Sequence, residues 1–398
     1  MIIEIAKQDL EAALQVVNPC MAGTGSDLSG HYTFRVQDAD GGNTQFVEVL
    51  TYSNRVFSSC PLKGTTLKDA KHGDAFSVEG WRLKDWLPHT GEGVVVTIEV
   101  TGSEVEMKVP WGGMGFDSLD PSNFPWMDKY IEESTEVTVM QADRLAASID
   151  FSRQFASDRE TQDRKSCVCV IQKGVFYSTN RIKAAAVEVK GLEESTMRLH
   201  VKDAPTAITF LGTTQGEVKV LEYKRGVIFQ REDGAMFGSQ RYVEAIPAFG
   251  RPGEDQRLWV ISKDTLKSAI GFLTAGAAKE DKKFRIERKT EDGPLTVSMK
   301  TKSGQVKTLD IPVISTEQVD GDLPDLPDGG FPVSNEFLKD MLGLIPGDTI
   351  RIGVNVRERQ GEKTGFLRFV FRKFGEEKEP ETQDEYLAIL AWTRELGS

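Results

Sequence analysis

The stretch VEGWRLKDWLPHTGEGVVVTIEV, residues 78–100, predicts an amphipathic helix, a tight turn with glycine and an acid, and then a β strand. The same order of features occurs twice more, in KDAPTAITFLGTTQGEVKVLEY (202–223) and in VSNEFLKDMLGLIPGDTIRIGV (333–354). The turn acids Glu92, Glu217 and Asp348 lie about 125 and about 131 residues apart, close to a third of the 398-residue chain each time. The sequence therefore predicts three similar units in tandem.

A second helix is predicted near the start of each third. In residues 6–17, apolar side chains at positions i, i+3, i+4 and i+7 indicate one buried helix face. Similar stripes occur in 141–155 and in 262–273, the latter behind Ser262 as a candidate N-cap. Between the helices lie β segments with strong turn signals, at 34–49, 173–189 and 285–311.

These elements predict an α+β fold of three tandem domains, each made of two repeats of a helix with an antiparallel sheet. The expected domains are 1–125, 126–252 and 253–398. The first boundary falls in SNFPWMDKY (122–130), where Pro125 fixes its own backbone and favours extended conformations before it. We expect this segment to pin one domain to the next, as EAIPAFGRPG (244–253) does later. Alone, an aromatic–proline pair is more often a packed turn, and the repeat of the device favours the joint between domains.

The composition is 39% hydrophobic and 28% charged, which is ordinary for a soluble protein with more than one core. The apolar runs fall well short of the roughly 20 residues that span a bilayer, and the first residues are acidic rather than signal-like, so we expect a cytoplasmic protein without membrane contact. Cys167 and Cys169, two apart in SCVCV, are typical of small apolar residues in a strand. No metal or cofactor is expected.

Motifs of enzyme active sites are missing from the sequence. The phosphate-binding, zinc-protease and serine-hydrolase signatures do not occur, and the four histidines are scattered along the chain. Asp117, Asp120 and Asp128 are close enough in sequence to form paired carboxylates, but acids beside turns are more often caps or solvated charges. We therefore expect no catalysis, with a hydrolase of unrecognised site as a remote alternative.

The net charge of −12 argues against a simple nucleic-acid binder, which usually carries a basic face. A basic patch can nonetheless act within an acidic protein, because salt screens charges beyond about 8 Å. Cationic residues occur on or beside the predicted helices, away from the apolar stripes: Lys7, Arg82, Lys84, Arg144, Arg153, Lys263, Lys267 and Lys339. They are either solvated helix faces or, if the six helices face the same way, one shared basic surface.

Several longer segments carry a resemblance to a known family. MGFDSLDPSNFPWMDKY (114–130) followed by EVTVMQADRLAASIDFSRQFAS (136–157), then AMFGSQRYVEAIPAF (235–249) and EYLAILAWTREL (385–396), resemble in order and spacing the bacterial-type DNA sliding clamps, the β subunits that make polymerases processive. Extra length around 20–46 and 355–385 suits a divergent or phage-encoded member.

The resemblance implies a ring of two chains with three clamp domains each, in which the helices line a hole and contact double-stranded DNA without reading its sequence. It also implies a head-to-tail interface, for which we expect Met114 and Phe116 to meet Phe272 and Leu273. The alternative for these four is ordinary core. Closure by three copies is not excluded by sequence.

By the same resemblance, DNA polymerase and the clamp loader bind through short peptides in a groove. Its lining here corresponds to Ser178, Asn180, Arg181, Ile182, Glu244, Ala245, Ile246, Leu390 and Trp392. Asn180, Arg181 and Ile182 stand where the family usually has Gly-His-Arg, and Leu390 to Trp392 stand where it has Met-Pro-Met, so peptide preference is expected to differ. The competing hypothesis is a monomeric adaptor or inhibitor that binds replication proteins without encircling DNA.

Overall fold

The computed structural model describes the chain except for residues 23–26, 40–43, 54, 160–163, 225, 241, 243, 245–256, 276–282, 291–292, 302–303, 319–329, 346, 360–361, 373–384 and 392–398. The chain packs as two compact units. The first consists of Met1–Asp150 with Ser195–Val243, and the second of Phe151–Glu194 with Glu244–Ser398. The described helices include none long and apolar enough to cross a membrane.

Short helices alternate with runs of β strands along the whole chain. The helices are α1 (Lys7–Val17), α2 (Gly80–Trp86), α3 (Asp128–Glu132), α4 (Ala142–Arg153), α5 (Ala204–Leu211), α6 (Lys263–Thr274) and α7 (Asn335–Leu344). The strands up to the middle of the chain are β1 (Ile2–Ala6), β2 (His31–Ala39), β3 (Thr44–Ser53), β4 (Val56–Leu62), β5 (Thr66–Lys68), β6 (Ala75–Glu79), β7 (Val95–Thr101), β8 (Glu104–Val109), β9 (Gly112–Asp117), β10 (Thr135–Gln141), β11 (Val168–Gln172), β12 (Val175–Thr179) and β13 (Lys183–Glu188). The remaining strands are β14 (Arg198–His200), β15 (Glu217–Tyr223), β16 (Gly226–Arg231), β17 (Met236–Gln240), β18 (Arg257–Ser262), β19 (Lys283–Glu287), β20 (Leu295–Lys300), β21 (Val306–Ile311), β22 (Val313–Gln318), β23 (Phe331–Ser334), β24 (Thr349–Arg359), β25 (Glu362–Arg372) and β26 (Glu385–Ala391).

The first unit contains two antiparallel sheets. One has the strand order β5-β1-β7-β8-β9, and the other the order β10-β15-β16-β17-β4-β3-β2-β6. In the larger sheet, β17 pairs directly with β4, with Phe237 opposite Ser58. Strands from the predicted first and middle thirds therefore share one hydrogen-bonded sheet.

The second unit repeats this arrangement with other strands. The strands that this unit contributes to its larger sheet have the order β11-β12-β13-β26-β25-β24-β18-β22, and its smaller sheet has the order β21-β20-β19-β23. Here β13 pairs with β26, with Ala185 opposite Ala388, so strands of the middle and last thirds are joined in the same way. The middle third thus contributes to both compact units. The expected domain boundaries at 125 and 252 stay predictions.

The threefold repeat is present in the backbone register. In each third, the strand before the first helix pairs antiparallel with the strand after the second helix: β1 with β7, β10 with β15, and β18 with β24. The first helical residue then donates its backbone N–H to the turn before that second strand. The N···O distances are 2.9 Å from Lys7 to Val94, 3.1 Å from Ala142 to Gly216 and 2.8 Å from Lys263 to Asp348. The repeat inferred from the spacing of the turn acids is confirmed.

The six predicted helices are confirmed, because their apolar stripes are the faces that the structure buries. In α1 the stripe Leu10, Ala13, Leu14 and Val17 is buried, and α6 buries its own stripe behind Ser262, whose hydroxyl accepts from the backbone N–H of Thr265. The short helix α3 was not predicted. It begins at Asp128, inside the proline segment 122–130, and a five-residue helix has too little periodicity to be detected in a sequence.

The proline segment 122–130 packs against other parts of the first unit. Phe124 is buried against Leu28 and Leu50, and its ring lies 4.9 Å from that of Trp126. Past the proline, Met127, Tyr130 and Ile131 pack on a cluster formed by Phe57, Leu221, Tyr223 and Ile228, which come from both predicted thirds. The segment therefore covers the joint where β4 and β17 meet.

Arg35 holds the C-terminal end of the proline segment in place. Its guanidinium stacks 4.5 Å over the Trp126 ring and donates two hydrogen bonds to the Asp128 carboxylate, at 2.6 and 2.8 Å. The same guanidinium donates to the buried Glu48 carboxylate at 2.7 Å, and Gln37 donates there at 2.9 Å. Hydrogen bonding to Arg35 lowers the pKa of Asp128 below its ordinary value.

We expect Asp128→Asn to lower the free energy of unfolding by about 1 kcal/mol at neutral pH, since Asp128 is half-exposed and solvent screens the pair. A carboxylate whose pKa is lower in the folded than in the unfolded chain stabilises the fold fully at pH values above its unfolded-state pKa of about 4. This stabilisation is lost as the pH falls through the pKa of the folded state. The difference between wild type and variant should therefore vanish in acid. Urea unfolding at several pH values measures this difference, with Glu132→Gln on the same helix as control.

Arg35→Met should lower the free energy of unfolding by roughly 3 kcal/mol, because it leaves the buried Glu48 carboxylate without its cation. Equal losses of stability in Arg35→Met and Asp128→Asn would contradict this role of Arg35.

Candidate nucleic-acid and partner interfaces

On the helices of the first unit, the predicted cationic residues have different environments. Lys7 is buried, with 7% of its surface exposed, and its Nζ donates to the Gly91 carbonyl at 2.8 Å. Arg82 is half-buried and donates to the Glu79 carboxylate and the Gly115 carbonyl, at 3.0 and 3.1 Å. Only Lys84 of these three is exposed to solvent. The expectation that Lys7 faces DNA is not supported, because its ammonium ties α1 to the turn after α2.

A cleft of about 240 Å³ separates α1 from α2 and includes Lys84. It is lined by Glu11, Leu14, Gln15, Asn18, Tyr32, Lys84, Leu87 and Pro88. The Lys84 ammonium lies 6.0 Å from the centre of the Tyr32 ring, and its partial burial there lowers the pKa of Lys84. Because Glu11 lies in the same cleft, this surface carries both signs of charge.

On α4, Arg144 and Arg153 are half-buried, and each is engaged in an interaction with another group. Arg144 belongs to the first unit and Arg153 to the second. The other helix of the middle third, α5, has the sequence APTAITFL and carries no charge at all. The middle third therefore offers little free positive charge on its helices.

In the second unit, Lys263 repeats the role of Lys7. Its Nζ donates to the Ile345 carbonyl at 2.9 Å, which ties α6 to the end of α7. Lys267 and Lys339 are both exposed, and the Lys339 ammonium lies 3.4 Å from the Thr274 hydroxyl. Of the eight predicted DNA-facing residues, Lys84, Lys267 and Lys339 present the most accessible charge.

The predicted peptide groove begins at the β12–β13 turn of the second unit. The Asn180 side chain accepts from the backbone N–H groups of Ile182 and Lys183, at 3.1 and 2.9 Å. The Thr179 hydroxyl accepts from the Arg181 N–H at 3.0 Å, and Arg181 itself has φ of 74°. The turn is thus built by its own side chains. It leaves Arg181 exposed and Ile182 41% exposed.

The other residues of the predicted groove are described only in part. Ser178 is buried and donates to the Ser152 carbonyl, so it supports the turn from beneath. Glu244 is half-buried, and the backbone of Leu390 pairs with Lys183 beside the turn. Ala245, Ile246 and Trp392 lie outside the described residues, as does the side chain of Leu390. The groove as a set therefore stays a prediction.

Two of the four predicted interface residues are core. Phe116 is 3% exposed, and its ring packs edge-on against Trp86 with centroids 6.5 Å apart, while Leu273 is fully buried. A side chain that its own chain already buries offers no surface to a second copy. Met114 is half-buried and Phe272 is 68% exposed, so these two remain available. The helical spacing of Leu273 with Leu266 and Ile270 had already indicated this burial.

Other exposed apolar residues went unnoticed in the sequence. Val306 on β21 is 59% exposed and Ile314 on β22 is 60% exposed, and each of these strands pairs on one side only among the strands that the structure describes. In the first unit, β9 is likewise an edge strand, and Trp111 beside it is 63% exposed. Edge strands with apolar side chains are common sites of chain-to-chain pairing. Period-two alternation in β21 is the signal that points to Val306.

The cysteines lie in the core of the protein. All four cysteines are buried, and burial raises the pKa of Cys60 to about 11 and of Cys169 to about 12, which disfavours the nucleophilic thiolate. Within the described part of the chain, no group of three or more His, Cys, Asp or Glu side chains is placed to hold a metal ion.

Known proteins share this fold over its full length. No protein-family model and no curated protein matches the sequence. The solved DNA polymerase sliding clamp from Bacillus subtilis has a TM-score of 0.71 at 14% identity and covers 99% of each chain. DNA polymerase III subunit beta from Pseudomonas aeruginosa has a TM-score of 0.69 at 14% sequence identity. The sliding clamp from Bartonella birtlesii bound to griselimycin has a TM-score of 0.67 at 13% sequence identity. Each of these two matches covers 99% of this chain and 100% of the other. The chain has the sliding-clamp fold, and the predicted α+β class is confirmed.

We expect Lys7→Met to lower the free energy of unfolding by about 1 kcal/mol, because it removes the hydrogen bond from the lysine ammonium to the Gly91 carbonyl. Lys267→Met is the matched control, since Lys267 occupies an exposed position on an equivalent helix. Urea unfolding of both variants makes the comparison. Equal stability of Lys7→Met and wild type would show that Lys7 does not tie the helix to the turn.

Proposed function

We propose that this chain is a DNA sliding clamp, a non-enzymatic ring that encircles duplex DNA and holds a polymerase on it. The observation that carries the proposal is the full-length match to clamp structures, with 99% of the chain covered. The threefold strand register supports it independently, because the sequence alone predicts the same threefold repeat.

The helix faces are suited to loose contact with DNA. Exposed lysines such as Lys84, Lys267 and Lys339 attract phosphates, and contacts to the backbone carry no sequence information. A ring needs little binding energy, since topology rather than affinity keeps it on the DNA. The overall charge of −12 is then compatible with DNA binding, because acids elsewhere repel DNA from other surfaces.

Ring closure is proposed to join two chains head to tail. A contact of this kind uses two different surfaces and closes only if the rotation between copies allows it. The edge strand β9, which contains Met114 and directly follows the exposed Trp111, offers one surface, and the edge strand β21 with Val306 and the nearby Phe272 offers the other. In the described part of the chain, each surface combines one side of a strand without a backbone partner and an exposed apolar side chain.

We further propose that polymerase and clamp loader bind by short peptides at the β12–β13 turn. The turn presents a cation at Arg181 and an apolar side chain at Ile182, and its internal hydrogen bonds hold both in place. A rigid turn of this kind favours binding, because little conformational entropy is lost. The expected peptide carries an apolar anchor with an acid next to it.

Topological binding makes a direct prediction for DNA retention. The protein loaded on closed circular DNA should remain bound through gel filtration at a salt concentration that abolishes ordinary electrostatic binding. Cutting the circle once should release it, because a ring slides off a free end. Equal retention on circular and linear DNA would exclude encirclement, and a monomeric mass in solution would favour the adaptor.

Phe272→Asp should weaken the dimer at least tenfold, because it places a charge in an apolar contact between copies. Folding should be unaffected, since the side chain is 68% exposed. Sedimentation over a concentration series measures the dissociation constant, with Lys267→Asp as a control on the same helix. An unchanged dimer would move the interface away from α6.

A further inference from the structure

The three thirds place different charges at equivalent helix positions. The register of β1, β10 and β18 makes Lys7, Ala142 and Lys263 the equivalent first residues of α1, α4 and α6. Counting four residues on from each gives Glu11, Ala146 and Lys267. The same helix position is therefore negative in the first third, neutral in the middle third and positive in the last.

The single lysine of α1 offsets only one of the two acids on this helix. Lys7 is the single cation of the helix, and it is buried with its ammonium on the Gly91 carbonyl. Asp9 and Glu11 are both exposed, and Glu11 lies only 3.5 Å from that ammonium while 44% of its side chain remains exposed. The solvent-facing side of α1 is thus acidic.

The acid also affects its neighbour on α2. Glu11 and Lys84 line the same cleft, so the carboxylate partly cancels the field of the exposed ammonium. In the last third, by contrast, Lys267 lies on α6 and Lys339 on the adjoining α7, and both are exposed. The α6–α7 pair also carries the exposed acids Asp264, Glu336 and Asp340. The opposite signs therefore belong to the two first helices alone, since α1 has one lysine and two acids and α6 has two lysines and one acid.

Resting on the proposed clamp function, we propose that the first helices of the thirds do not share DNA contact equally: α6, through Lys267, attracts the phosphate backbone, and the exposed face of α1 repels it. Of these two helices, α6 then contributes more to the attraction of duplex DNA. The repulsion lowers total affinity, which favours sliding over stable binding.

An exchange of the equivalent residues tests this proposal. Glu11→Lys copies Lys267, and α6 shows that the position accepts a lysine four residues after a tied lysine, since Lys263 and Lys267 coexist there. Lys267→Glu is the reciprocal change. Glu11→Gln separates loss of repulsion from gain of a contact, and Glu104→Lys, at an exposed position on β8, makes the same charge change away from the helices.

The measurement is binding to a short fluorescein-labelled duplex, by anisotropy, over a series of salt concentrations. Glu11→Lys should bind several-fold more tightly, with a log–log salt slope steeper by about 0.9 for one added phosphate contact. Lys267→Glu should bind more weakly with a slope shallower by about the same amount, and Glu11→Gln should gain affinity without the full change in slope. Circular dichroism and dimer mass confirm that each variant is folded.

Two results are informative in opposite ways. If Glu11→Lys behaves like Glu104→Lys, the effect is one of net charge, and the proposal for α1 is overturned. If the wild-type protein is nevertheless retained on circular DNA and released from linear DNA, the clamp function stands without the proposal for α1. If the wild-type protein is retained equally on circular and linear DNA, the clamp function itself is overturned, whatever the variants do.

Discussion

The antiparallel pairing of two strands in each third is the constraint on which the rest of the structure depends. The strand that enters the first helix is hydrogen-bonded to the strand that leaves the second, so the turn after the second helix lies beside the start of the first. This brings α1 and α2 to one cleft and places Lys339 of α7 beside Thr274 of α6. The helix surfaces that we propose for DNA follow from this backbone plan.

Lysines at the first position of α1 and α6 strengthen the same junction. Lys7 and Lys263 each reach a carbonyl near the end of the second helix, although their sequence neighbours differ. A buried ammonium is stable only with such partners. These two residues therefore serve the fold, and the surface charge of each helix is set by positions further along it.

Most of the architecture follows from sequence because it depends on local patterns. Apolar stripes located the six longer helices, and the regular spacing of Glu92, Glu217 and Asp348 located the repeat. The sites were harder to predict, since exposure depends on distant partners. Lys7 looks like a solvated charge until the Gly91 carbonyl is brought to it from 84 residues away. Phe116 looks like a strand surface until Trp86 covers it.

Strand β17 pairs directly with β4, and β13 pairs directly with β26. The repeats seen in the sequence are therefore not the same as the compact units of the structure. Separating a single third from its neighbours would break a continuous sheet, and an interior strand would become an edge strand with unpaired backbone amide and carbonyl groups. Shuffling of individual thirds between related genes is for this reason disfavoured. Change along this chain is expected to proceed residue by residue within an intact threefold array.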